Sequence, residues 1–237
     1  MTWESELAGI YAAARRGDGG YACEQVRDLT KIALGGGFSL VIAVDSDGGL
    51  GSRENDVVKV LEYVLGRFAA RVPLVEIIAC GATPIAAFDM LTVPMDELGE
   101  EIVRGVRDEL AEAGLGADFP LSGSTEDNVP TTMTGVATAI VGMVHGDDFR
   151  PGRSRSGDTV FCMGVPRSAP EDEVTLEDAE IMRPEHVRAA LSLEAVQDVL
   201  PVGSRIAYAD IVSFERIFRR GLPRSAAKRS SLKVLYT

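Results

Sequence analysis

The apolar run Phe38–Val44 (FSLVIAV) reads as a strand, and it ends in two carboxylates, Asp45 and Asp47. Glycines 48, 49 and 51 follow at once, and then Glu54, Asn55 and Asp56. A buried strand therefore has to deliver its C-terminal end into a flexible turn crowded with negative charge. No lysine stands among these glycines, so the turn is not a P-loop. Any fold for this chain must place that acidic turn where the charge is tolerated or used.

The elements after it alternate. Residues 56–80 carry apolar side chains at helical spacing (Val60, Val64, Phe68, Val75, Ile78), and Pro73 is expected to kink or split that helix because it lacks an N–H and crowds the preceding turn. Gly81-Ala82-Thr83-Pro84 breaks the pattern, and 85–93 reads as a strand. Asp96 is placed to cap a helix with the stripe Leu98, Ile102, Val106, Leu110 and Ala113, closed by Gly114. Its opposite face, Glu100, Glu101, Arg104, Arg107, Asp108 and Glu109, reads as solvated. A turn over 121–130, a long strand over 131–144 and another strand over 157–166 complete the order. Long Thr- and Gly-rich strands favour α+β over a doubly wound sheet.

Charge narrows the ligands. A net charge of −12 over 237 residues argues against non-specific nucleic-acid or anionic-membrane binding, and it admits a polyanion only through divalent cations. No window reaches the ~18 apolar residues of a membrane span. The N-terminal stretch places acids before arginines, the reverse of a secretory signal, so a cytoplasmic protein is expected. Cys23, Cys80 and Cys162 are widely spaced and read as free thiols, and His145 and His186 stand alone in the sequence, so no histidine metal centre is expected.

The polar islands remain. Asp45 and Asp47 end a strand, Glu76 interrupts the stripe Val75, Ile77, Ile78, Ala79, and Asp89 interrupts a strand. Ser124, Thr125, Glu126, Asp127 and Asn128 fill a glycine turn. Asp47, Glu54 and Asp127 read as ordinary solvated acids. A buried Glu76 needs a cation or hydrogen-bond donors. Several acids without histidine or cysteine suit hard Mg2+, which bridges carboxylates to nucleotide phosphates. The pattern by itself leaves a metal–nucleotide site and a purely structural reading level.

Two longer stretches, ARVPLVEIIACGATPIAAFDML (70–91) and LSGSTEDNVPTTMTGVATAIVG (121–142), resemble the ATP-binding half of the aminoimidazole ribonucleotide synthetase superfamily. That superfamily also holds thiamine-phosphate kinase and selenophosphate synthetase. The matching positions are Asp45, Glu76, Gly81-Ala82-Thr83-Pro84, Gly123-Ser124-Thr125 and Gly142. Within it, VRDLTKIAL, VIAVDSDGGLGSRENDVVKV, GSTEDNVPTTMTGV and LSLEAVQDVLPVGSR resemble the α-ribazole kinase family.

The resemblance implies an α+β fold with a mixed sheet packed by helices, its strands forming a barrel across a homodimer interface. It implies an ATP-binding domain over 1–165 and a short C-terminal segment over 166–237. It implies Mg2+-ATP-dependent phosphorylation of the 5′-hydroxyl of α-ribazole in cobalamin lower-ligand salvage; another kinase or synthetase of the superfamily, or a nucleotide-binding module without chemistry, are the alternatives. Nucleotide contacts are expected from Asp45, Asp47, Gly48, Gly49, Asn55, Asp56, Gly81, Gly123, Ser124 and Thr125, and metal ligation from Asp45, Glu76, Asp89 and Glu126. Glycines would let backbone N–H groups approach phosphate oxygens. Lys31 and Lys59 are further phosphate candidates, and the turn Pro201–Ser204 with Arg205 is a candidate acceptor pocket. The chain departs from the pattern twice: Ser124 stands where the superfamily carries an acid, and the stretch after Arg205 does not fit. No residue is singled out as general base.

Overall fold

The computed structural model describes residues 2–17, 23–161, 163–165 and 167–202. In chain order these form α1 (Trp3–Arg16), β1 (Cys23–Val26), β2 (Leu29–Gly35), β3 (Phe38–Gly48), β4 (Leu50–Gly51), β5 (Val58–Lys59) and α2 (Glu62–Ala79). β6 (Thr83–Leu91), α3 (Glu97–Leu110), β7 (Leu121–Ser124), β8 (Gly135–His145) and α4 (Pro184–Leu191) follow. Six strands form one sheet in the order β1-β2-β3-β8-β6-β7, antiparallel except for the β6–β7 pair. The sheet is open and mixed, with α2 packed on one face, so the fold is α+β. No closed barrel forms among the described residues.

Alternation along β3 sorts its two faces. Ser39, Val41 and Ala43 are buried beneath α2, whereas Phe38 and Val44 point the other way and stay exposed. On β8 the buried set is Val136, Thr138, Ile140, Gly142 and Val144. α2 lays Ala70, Leu74, Ile77 and Ile78 on this inner face, and each large apolar side chain so buried contributes about 1.5–3 kcal/mol. Met182, Val187 and Val199 join the same core, so α4 and the segment after it pack on α2. The outer face carries Val44, Phe88, Met90 and Met143, all exposed, with no described element over them.

α2 is one helix, and Pro73 does not split it. Proline at 73 removes the N–H that would reach the Ala69 carbonyl. That carbonyl accepts instead from the Thr138 hydroxyl of β8, so the defect is repaired by the sheet. α3 crosses α2 where both helices carry glycine: a β-carbon on Gly66 would lie 2.0 Å from the Ile102 carbonyl oxygen, and one on Gly105 would lie 2.2 Å from that of Tyr63. At so close a crossing Glu109 is not solvated as its helical position suggested. It is 2% exposed and takes Arg67 Nε at 2.7 Å and Arg71 Nε at 2.6 Å.

Asp96 caps α3 as expected, accepting from the N–H groups of Leu98 at 3.0 Å and Gly99 at 3.3 Å, and Gly114 ends the helical run with φ +82°. The described part of 157–166 is not a strand, and β8 begins at Gly135, with 131–134 in a turn. Pro201 and Val202 are buried, while Gly203, Ser204 and Arg205 lie outside the described residues, as does Cys162. Cys23 and Cys80 are free. Among the described residues no helix is long and apolar enough to cross a membrane.

Candidate functional site

Strand register builds the site. Asp45 of β3 lies opposite Thr138 of β8, Thr138 lies opposite Asp89 of β6, and Asp89 lies opposite Gly123 of β7. Opposed residues share a face, so one row crosses four strands on the side that α2 covers. Gly123 has to be glycine here: a β-carbon would sit 1.6 Å from Asp89 Oδ1 and 2.4 Å from the Asp89 carbonyl oxygen. Asp47 lies one pleat beyond Asp45, opposite Val136.

Burial leaves these acids poorly solvated. Glu76 of α2 is 8% exposed and its carboxyl is pushed up to about 8, chiefly by burial, then by the charges of Asp28 and Asp45, with Arg27 opposing them. Burial also raises Asp47 to about 6, helped by Asp45. Asp45 is raised by burial, eased by a backbone hydrogen bond at Ser46 and reinforced by Asp28. Asp89, 4% exposed, is raised by burial against the pull of Arg107. Cys80 near Glu76 is pushed up to about 12 by burial and stays a thiol.

Asp28 did not figure among the candidates read from the sequence. It occupies the two-residue turn Arg27-Asp28 that joins β1 to β2, with Val26 paired to Leu29. Because Leu29 pairs with Ala43, this turn comes up beside the end of β3. A charged pair between two short alternating runs was the available signal, but its neighbourhood exists only once β2 pairs with β3.

Other candidates are committed elsewhere. Asp56 is 5% exposed; its Oδ1 accepts from Thr134 N at 2.7 Å, and its Oδ2 accepts from Thr134 Oγ1 at 2.8 Å and Arg53 N at 2.9 Å. Asn55 donates to Thr132 Oγ1, and Gly49, at φ +76°, donates its N–H to the Thr134 carbonyl. These residues fasten the acidic turn to the start of β8. Glu126 Oε1 accepts from the N–H groups of Asn128 and Val129, and Thr125 donates to Asp127. Lys31 pairs with Glu24 at 2.6 Å, and Lys59 donates to the carbonyls of Arg53 and Glu54. Gly81 precedes the start of β6, six residues of strand away from Asp89, and is not brought to the row. Ser124 is not brought to the row either: it pairs with Met90, on the opposite face, and with Ser46, Asp47, Thr92, Gly135 and Ala137 it lines a cleft of about 280 Å3. Gly48 pairs with Gly135 at the cleft's edge.

Among the described residues no three His, Cys, Asp or Glu side chains are grouped to hold a metal ion as they stand. The donor set is nonetheless all carboxylate, and Mg2+ is commonly held by one or two carboxylates together with substrate phosphates. Asp45, Glu76 and Asp28 fit that use.

Residues 31–144 match the AIR synthase related protein, N-terminal domain, family model. The AIR synthase-related segment is just under half of the chain and runs from within β2 to the end of β8, so it holds Asp45, Glu76, Asp89 and Gly123, while Asp28 lies just before it. No curated protein matches the chain. Among solved structures, phosphoribosylformylglycinamidine synthase II from Thermotoga maritima is 17% identical over 86% of this chain and 32% of its own, with a TM-score of 0.51. Thiamine monophosphate kinase from Aquifex aeolicus is 20% identical over 68% of this chain and 51% of its own, with a TM-score of 0.44. AaThiL complexed with AMPPCP and TMP is 18% identical over 92% and 60%, with a TM-score of 0.47. At these identities the likeness is one of fold. The chain spans about half the length of the thiamine monophosphate kinase.

Proposed function

We propose that the protein is a Mg2+-ATP-dependent phosphotransferase whose acceptor is the 5′-hydroxyl of α-ribazole. One observation carries the site: the buried Glu76 carboxyl of α2 faces the charges of both Asp28 and Asp45, which raise its affinity for protons, with a single guanidinium, Arg27, set against them. Such a cluster is short of positive charge, and a bound divalent cation supplies it. The match to the AIR synthase related domain and the resemblance of VRDLTKIAL and GSTEDNVPTTMTGV to the α-ribazole kinase family support the reaction class and the acceptor.

In this reading Asp45 and Glu76 hold Mg2+, with Asp28 beside them and Asp89 behind Gly123. When bound, the ion neutralises charge on the phosphates during transfer. Asp47, Ser46 and Ser124 line the cleft that receives ligand. Asp56, Asn55 and Gly49 brace the turn instead of meeting the nucleotide. Residues 1–165 form the nucleotide-binding part, and 166–237 the reduced segment that covers it. Two copies pair through the bare outer face of the sheet, where Val44 is 65% exposed and Phe88 and Met90 are each 40% exposed.

A binding module without chemistry is the second reading, favoured by one observation. Ser124 replaces an acid, and Glu126, which could substitute for it, already serves backbone N–H groups through Oε1. One assay separates the two. Protein, Mg2+, ATP and α-ribazole should yield the 5′-phosphate by mass spectrometry, whereas ATP binding without α-ribazole-dependent ADP release would remove the kinase reading. Asp45→Asn should weaken Mg2+-ATP binding by about ten-fold or more in calorimetry, the effect of one lost charged ligand, with folding intact. Equal affinity in both proteins would take Asp45 out of the site.

A further inference from the structure

Arg27 is the one non-glycine residue with positive φ among the described residues, at +56°. Left-handed backbone is unfavourable for a residue with a β-carbon, and it persists only where its surroundings enforce it. Two-residue hairpin turns favour asparagine, aspartate or glycine at such a position, and arginine is none of these. Something must therefore hold this turn.

The side chain shows what does. Arg27 Nη2 donates to Asp198 Oδ2 at 2.5 Å, and Nη1 donates to the Val199 carbonyl at 2.9 Å. The two residues are 171 positions apart in the chain. The Asp198 side chain is 6% exposed, and its Oδ2 also accepts from Gly152 N at 3.1 Å and Ser154 Oγ at 3.3 Å. Its Oδ1 is buried and has no hydrogen-bond partner among the described residues. Val199, next in the chain, is buried in the core, so Asp198 stands on a fixed base. From β1, Gln25 Nε2 donates to the Arg27 carbonyl at 3.0 Å.

We propose that Asp198 is a positioning residue of the acidic site: by gripping Arg27 it locks the turn of β1 and β2 in its left-handed form and so sets where the next residue, Asp28, stands against Asp45 and Glu76. The inference rests on the site assignment made above. It makes the segment after α4 part of the site's framework. A carboxylate buried with one oxygen unpaired is a poor structural filler, because its desolvation is compensated through the other oxygen alone. A grip on a strained turn accounts for its presence.

The full-length chain carries the test. Asp198→Ala should speed amide hydrogen exchange at residues 27–29 and weaken Mg2+-ATP binding about ten-fold, the size of one charge-assisted contact. Arg27→Gly with Asp198→Ala supplies the decisive comparison, since glycine adopts positive φ without a grip and neither member of the Arg27–Asp198 pair is left behind alone. That double variant should regain affinity to within about three-fold of wild type. Asp198→Asn, which keeps the shape, guards against a variant that fails to fold, and should fall between Asp198→Ala and wild type. Unchanged exchange at the turn in Asp198→Ala, or a double variant no better than that single one, overturns the proposal. If wild type itself does not bind Mg2+-ATP, the functional assignment fails, and the exchange comparison alone then decides whether Asp198 holds the turn.

Discussion

Glu76 ties the stability of the fold to pH. Its carboxyl is protonated in folded and unfolded chains below its ordinary value of 4.5, and in the folded chain it stays protonated up to about 8. Between those values the folded protein keeps a proton that the unfolded chain releases, so stability is fully present below 4.5 and is lost as pH rises through about 8. Glu76→Gln removes that slope. Its melting temperature relative to wild type should rise between about pH 5 and about pH 8.5, and millimolar Mg2+ should shrink the difference by stabilising wild type alone. A pH-independent difference would mean that Glu76 ionises normally. Glu76, Asp45 and Asp89 were legible because each interrupts an apolar pattern, and a carboxylate in such a place has to be buried or paired. Asp56 and Glu126 look the same in sequence, but whether an acid turns inward to backbone donors or outward to a ligand depends on loop closure that no spacing encodes. Asp28 was hidden for the opposite reason: its partners come from strand pairing.

Helix α2 shows where local rules give way to packing. Proline at 73 ought to break it, and the broken bond is real, yet Thr138 answers the orphaned Ala69 carbonyl from the neighbouring strand. Thr138→Val keeps the shape and leaves that carbonyl buried without a donor, which should cost about 1–3 kcal/mol in urea unfolding. Thr138→Ser should recover most of the loss, and two equally stable variants would show that the bond carries no weight. Glu109 makes the same point on α3. Its heptad position said solvent, but glycines 66 and 105 let the helices approach until Arg67 and Arg71 enclose it. The strands β3, β6 and β8 were readable from their apolar runs and turn residues, whereas β5 lies in a stretch that reads as helix and β7 in one that reads as a turn. The stretch 157–166 has the composition of a strand, but its described residues form no strand of the sheet, and composition cannot supply a neighbour.

Taken whole, the molecule is lopsided: α2 covers one face of the sheet, and Val44, Phe88, Met90 and Met143 stand exposed on the other. Val44→Glu puts a charge in the middle of that bare face without touching the core. If two copies meet there, light scattering at micromolar concentration should give a dimer mass for wild type and a monomer mass for the variant. A wild-type monomer would leave the face without an occupant. The cleft beside Asp47 is built partly from outward-pointing residues, since Ser46 and Ala137 lie on the same side as Val44. Pairing would therefore bring a second subunit to the rim of each pocket, and catalytic competence would become a matter of mass action. Turnover per subunit would climb with protein concentration and level off only above the dissociation constant of the pair. An assay run at high dilution would then find a well-folded protein with little activity, and the fault would lie in the stoichiometry of the reaction vessel.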